Sequence, residues 1–152
     1  MATISVVTIC FNNLNELKLT CLSVDKQSKH PDEHLIVNGS NTSEIYDWLL
    51  NNKQPKYRRW INVENKHIAG NFNHGIENAS FQFIHLLNSG DEYVDEEVLS
   101  DVYTFLGEHP EANWISGKIN TIRGGILVSV GKPFEKANFI EACEVFFIQA
   151  GL

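Results

Sequence analysis

The stretch Asn88-Ser89-Gly90-Asp91 puts an amide, a hydroxyl, a glycine and a carboxylate directly behind an apolar run, Phe83 to Leu87. Read as a strand, that run delivers the four residues to its C-terminal tip. Open α/β sheets bind ligands outside the C-terminal ends of their strands. Three earlier segments end in the same way. Phe11, Asn12 and Asn13 follow the first apolar run, Asn38, Gly39, Ser40 and Asn41 the second, and Glu64, Asn65, Lys66 and His67 the third. Amides, small residues and a well-placed carboxylate suit the hydroxyls and ring edges of a nucleoside or sugar. Turns also use Asn, Gly and Ser for purely conformational reasons. Four such loops on one edge are what favour a site.

The phosphate chemistry is constrained by what is missing. Neither Gly-x-Gly-x-x-Gly nor Gly-x-x-x-x-Gly-Lys-Ser/Thr occurs in the sequence, so the glycine-rich phosphate cradles are absent. A bound diphosphate would then be neutralised by a divalent cation, manganese or magnesium, which takes oxygen ligands from carboxylates and phosphates. Asp91 is the candidate metal ligand. Glu92, Asp95, Glu96 and Glu97 are the alternatives, although they read more simply as solvated charge at a helix start. The three cysteines, Cys10, Cys21 and Cys143, match no zinc spacing and read as reduced, buried thiols.

The elements that must position these residues alternate. Thr3–Cys10 is β-branched and apolar, as expected of a central parallel strand buried on both faces. Residues 14–27 carry Leu14, Leu17, Cys21 and Leu22 at helical spacing. Glu33–Val37 reads as a second strand, and Asn41 with Glu44 as a capping box for a helix over 42–52. Residues 57–63 read as a third strand, 69–79 as a short helix, 81–87 as a fourth strand, and 95–109 as a helix with acids in its first turn. This βαβαβαβα order predicts a parallel sheet with helices on both faces. Residues 113–119 and 121–131 look like further strands. Residues 139–149 read as a helix, or as a helix and a strand.

At 152 residues the chain is most simply one domain over 1–152. No apolar run approaches the roughly 18 to 20 residues of a membrane span, and the N-terminus does not read as a signal peptide. A cytoplasmic setting follows. The formal charge of −7 argues against a nucleic-acid partner. The one local basic cluster, Lys56–Arg59, reads as a solvated strand end.

The segments "SVVTICFNN", "IVNGSN", "NFNHGIENA" and "FIHLLNSGD", in this order, resemble the family 2 glycosyltransferases. The closest flavour is the bacterial polysaccharide branch of colanic-acid type, in which the fourth tip likewise reads Leu-Asn-Ser-Gly-Asp. The resemblance runs from about residue 3 to 106. It implies an α/β GT-A-like (Rossmann-like) fold, a mostly parallel sheet flanked by helices, with extra strands near the C-terminus. It implies inverting transfer from a nucleotide-diphosphate sugar to a saccharide or lipid-linked acceptor, peripherally at the inner face of the membrane. Thr8, Phe11, Asn12, Asn38, Gly39, Lys66 and Asn73 would surround the nucleotide. Asn88, Ser89 and Gly90 would meet the diphosphate or donor sugar, and Asp91 the metal.

The sequence departs from that pattern in places. Asn38 stands where the family carries an acid, and Lys66-His67 replaces its usual Asn-Gly. Gly70 stands where close relatives carry Asp, and only Asp91 remains of the acid-rich metal motif. Of the family's later half, which holds the acceptor site and the general base, only a weaker echo over residues 145–152 is present. Glu141 and Glu144 read as surface residues, leaving the catalytic base unassigned. Three readings follow: a glycosyltransferase, a nucleotide-sugar-binding remnant or partner-dependent subunit, and an interaction module without ligand. Dimerisation through the apolar segment 144–152 would cover surface that a longer chain would bury.

Overall fold

Burial on both faces explains the apolar N-terminal run. β1 (Ile4–Cys10) and β2 (Glu33–Asn38) are buried at every residue. They pair in parallel, with Val6 opposite His34 and Cys10 opposite Asn38. β3 (Arg58–Asn62) pairs with the far side of β2, and β4 (Phe83–Leu86) with the far side of β1, both parallel. The sheet order is β3-β2-β1-β4. Between and after the strands lie α1 (Leu14–Asp25), α2 (Glu44–Asn51), α3 (His67–Asn78) and α4 (Val98–Glu108). The expected alternation is thus observed. The computed structural model describes residues 1–115 and 117–131. Met1–Pro110 forms one compact unit, and the described residues from Glu111 to Gly131 belong to a second.

Side chains alternate across a strand, so each sheet face has its own partners. Cys10 and Ile36 pack with Leu17 and Cys21 of α1 and Ile45 and Leu49 of α2, with Trp60 at the margin. On the opposite face α3 approaches so closely that a Cβ on Gly75 would stand 2.3 Å from Val7 Cγ1 and 3.2 Å from Val37 Cγ2.

Each face also buries a polar chain. A guanidinium only donates, so Arg58 Nε–H bonds His34 Nδ1 at 3.1 Å. His34 Nε2 then carries the proton and donates to Thr8 Oγ1 at 3.0 Å. Arg58 also pairs with Asp25 at 2.6 Å. Burial, reinforced by the Arg58 charge, holds the His34 pKa well below its ordinary value. On the other face Glu33 accepts from Ser5 Oγ at 2.7 Å, Arg59 Nε at 2.5 Å, and Ser80 N and Oγ at 3.0 Å. Burial alone would raise the Glu33 pKa. These donors overcome it, Ser5 foremost, and the carboxyl lies below its usual value. Of the basic cluster, Lys56 is exposed and Arg59 half-exposed, as a strand end would be, but Arg58 is buried. Arg58 and Arg59 point to opposite faces: buried Arg58 pairs with Asp25 at the surface, and half-exposed Arg59 with buried Glu33.

Other local expectations shift. The capping box does not form: α2 starts after Ser43, whose hydroxyl bonds Asp47, while Asn41 is engaged with Asn12. α4 starts at Val98 rather than in the acidic run. There Asp95 Oδ1 accepts from Glu97 N, and Glu97 Oε2 from Ser28 Oγ. Among the described residues of the segment 113–119, only Ile119 lies in a strand. β5 (Ile119–Arg123) and β6 (Ile126–Gly131) form an antiparallel hairpin around Gly124 and Gly125, both at positive φ, as a two-residue turn requires. The expectations for 139–149 and for dimerisation through 144–152 lie outside the described residues, as do Glu141, Glu144 and Cys143.

Two outcomes follow. Unfolded His34 protonates near pH 6.5 while the folded imidazole stays neutral, so below that pH the unfolded chain binds more protons. Urea midpoints should therefore fall from about pH 7 to pH 5, with a slope of up to about 1.4 kcal/mol per pH unit from this group. A flat profile would contradict the buried neutral imidazole. Glu33 adds a loss of its own at still lower pH, as the solution falls through its depressed folded pKa. Gly75→Ala should cost about 1–3 kcal/mol in a denaturation experiment, because Val7 and Val37 leave no room for the methyl group.

Candidate functional site

In-register parallel pairing ends β1, β2 and β3 at one level. Cys10, Asn38 and Asn62 form a row there. Asn38 Nδ2 donates to Asn62 Oδ1 at 2.9 Å, and Asn38 Oδ1 accepts from Ser40 N at 3.1 Å. The Cys10 thiol reaches Val37 O and Asn38 Oδ1 at 3.7 and 3.8 Å. Burial pushes its pKa up to about 12, and that of Cys21 to about 11. Both thiols are buried and held in the protonated form, as the sequence reading of reduced, buried thiols expects.

Amide side chains then tie the four loops together. Asn12, at φ 54, bridges the first loop to the second. Its backbone N donates to Ser40 Oγ at 2.9 Å and its Nδ2 to Asn41 Oδ1 at 2.6 Å. In return its Oδ1 accepts from Asn41 N at 3.2 Å and Thr42 Oγ1 at 3.3 Å. Left-handed backbone suits Asn better than most residues. The second loop touches the third at Gly39, where a Cβ would stand 2.8 Å from Asn71 Nδ2. Asn71 Nδ2 donates to Asn65 Oδ1, and Asn71 Oδ1 accepts from Lys66 N, both at 3.0 Å. His67 begins α3 at φ 61, with its N–H on Asn65 Oδ1 at 3.0 Å. The first loop meets the fourth where Asn13 Nδ2 donates to Ser89 Oγ at 3.0 Å.

The expected site residues divide by burial. Phe11 (45% exposed), Asn12, Lys66, Asn73, Gly90 and Asp91 are exposed, and Asn88 is half-buried. Thr8 and Asn38 are not at the surface: Thr8 is fully buried on His34, and Asn38 is committed to Ser40 and Asn62. Both lie beneath the edge and support it. Gly39 and Ser89 are buried between loops. Asn71 and Thr20, absent from the sequence-based set, hold the third and fourth loops. Thr20 was detectable. It lies on the inward stripe with Leu17, Cys21 and Val24, and a polar residue there needs a buried partner.

Among the described residues no three His, Cys, Asp or Glu side chains converge as a metal site. Asp91 is an exposed carboxylate whose pKa is raised by partial desolvation, against a smaller opposing effect of hydrogen bonding with Asn88. One such carboxylate fits a cation that takes its remaining ligands from phosphate oxygens and water. It does not fit an all-protein cage.

Residues 5–126 match the family described as glycosyl transferase family 2. Two proteins of Mycobacterium tuberculosis, from the CDC 1551 / Oshkosh and H37Rv strains, are each described as an uncharacterized glycosyltransferase. Both are 28% identical over 138 residues, covering 86% of this chain and 52% of their own length. The chain therefore spans about half the length of the curated relatives it matches. Among solved structures, S. aureus TarS 1–349 superposes with a TM-score of 0.59 at 22% identity, over 71% of this chain and 33% of its own. Its complex with UDP-GlcNAc gives 0.60 at 22%, over 71% and 32%. The shared feature is the GT-A-like fold. Among the described residues no helix is long and apolar enough to cross a membrane.

The amide clasp makes a direct prediction. Asn12→Ala removes three side-chain hydrogen bonds and forces a Cβ-bearing residue without a polar side chain to keep φ 54. It should lower stability by about 1–3 kcal/mol in chemical denaturation. A loss within error of zero would show that the two loops are held some other way.

Proposed function

This chain belongs to glycosyl transferase family 2, and from that membership we propose that its sheet edge binds a nucleotide-diphosphate sugar as donor. One observation carries the reading: four strand-tip loops joined through Asn12–Asn41, Gly39–Asn71 and Asn13–Ser89. Phe11 offers an exposed ring for a base, and Asn12 and Gly39 flank it. Lys66 and Asn73 complete the nucleotide's surroundings, while Thr8 and Asn38 support them from below. Asn88 and Gly90 face the diphosphate and donor sugar, with the buried Ser89 holding the loop beneath them. Asp91 would hold a manganese or magnesium ion, which when bound neutralises the diphosphate leaving group. In an inverting transfer the acceptor hydroxyl attacks the anomeric carbon as a general base takes its proton. The acceptor proposed is a saccharide or a lipid-linked saccharide, in bacterial polysaccharide synthesis at the inner face of the membrane. The Leu87-Asn88-Ser89-Gly90-Asp91 tip supports the colanic-acid-type branch.

Thermal unfolding with UDP, GDP and their sugars, with and without manganese, tests this. The TarS complex contains UDP-GlcNAc, which makes the uridine series the first choice. A ligand at about a hundredfold its Kd should add roughly 2.7 kcal/mol. Asp91→Ala should abolish the manganese-dependent part of the shift. No shift with any nucleotide would overturn the donor site. Donor hydrolysis or transfer by the chain then separates an enzyme from a subunit that binds without turning over.

A further inference from the structure

The fourth loop takes its geometry from a side chain outside it. Thr20 lies in the middle of α1 and is fully buried. Its hydroxyl accepts from Gly90 N at 2.8 Å and stands 2.8 Å from Asp91 O. Glu16 O and Asn88 O lie farther away, at 3.3 and 3.4 Å. A hydroxyl has one proton, and the short contact to Asp91 O takes it. Thr20 thus grips the polar atoms on both sides of Gly90. That residue sits at φ 100, a conformation natural only to glycine. The turn closes on itself through Asp91 N to Asn88 O at 2.9 Å. Asn13 holds its other flank through Ser89 Oγ at 3.0 Å. The backbone of Asp91 is therefore referenced to α1, the helix that runs on from the Phe11–Asn13 loop.

We propose that Thr20 is a positioning residue that aims the Asp91 carboxylate at the cation–diphosphate end of the donor. The proposal rests on the donor-site reading above. Thr20 touches no ligand and acts through the Gly90–Asp91 backbone. Its β-branched side chain has few χ1 choices, so the hydroxyl is fixed before a ligand arrives. Val keeps that shape and loses the hydroxyl; Ser keeps the hydroxyl and loses the methyl group. In Thr20→Val, Gly90 N–H loses its acceptor and Asp91 O its donor, and the turn keeps only its Asp91 N–Asn88 O closure and the Asn13–Ser89 bond.

The test measures amide hydrogen exchange at Gly90, and affinity for UDP with magnesium and for uridine, in wild type, Thr20→Val and Thr20→Ser. Thr20→Ala serves if the valine variant does not fold. In Thr20→Val, exchange at Gly90 should quicken by about tenfold, and UDP–magnesium binding should weaken by about tenfold. Uridine, which has no diphosphate, should bind as in wild type, and Thr20→Ser should restore the exchange rate and the UDP–magnesium affinity. Unchanged UDP–magnesium affinity in the valine variant overturns the proposal. So does an equal loss for uridine, which would mean general loosening. If wild type binds neither UDP–magnesium nor uridine, the donor site itself falls and this role with it. If wild type binds both and only the valine pattern fails, the donor site stands without Thr20.

Discussion

The parallel register of β1 against β2 is the constraint on which the rest depends. Side chains alternate along a strand, so a slip of one residue would send every side chain to the opposite face. His34 would then leave the face it shares with Thr8 and Arg58, and Glu33 the face it shares with Ser5 and Arg59. Each slip would leave a buried polar side chain, His34 or Glu33, without its hydrogen-bond partners, at a cost of about 1–3 kcal/mol for each unsatisfied group. Apolar residues such as Val6, Val7, Ile36 and Val37 are nearly interchangeable under a slip. The two polar chains are not. They make the register unique as well as stable.

The site inherits its geometry from that register. Because Cys10, Asn38 and Asn62 end level, the loops that follow start from a common plane. Neutral amides then join them. Asn carries both donors and acceptors, so Asn12 and Asn41, or Asn65 and Asn71, satisfy one another without burying charge. The charged side chains of the edge, among them Lys66 and Asp91, remain exposed. An edge organised by amides and carrying few charges suits a ligand that brings its own charge and counter-ion.

The fold was legible because its signals are periodic and local. β-branched runs, apolar helical stripes and Asn/Gly/Ser-rich turns each announce themselves within about ten residues. The site was legible as a set of loops and less so as a set of contacts. Thr8 and Asn38 read as ligand-facing from their place in the segments, yet strand pairing buries them. Arg58 and Arg59 looked like a solvated cluster because their acids, Asp25 and Glu33, lie more than twenty residues away in sequence. Asn41 resembled a helix cap until its competing partner, Asn12, was visible across the loop. In each case the deciding partner is distant in sequence and near in space, and no local pattern encodes that pairing.

Backbone NMR shift mapping tests the central claim most directly, with UDP and magnesium titrated into the isotope-labelled chain. The four-loop edge predicts saturable shifts concentrated in residues 11–13, 39–42, 64–67 and 88–91, with β1 and β2 little changed in their lower halves. Shifts that cluster elsewhere, or a spectrum that does not respond at millimolar nucleotide, would contradict it.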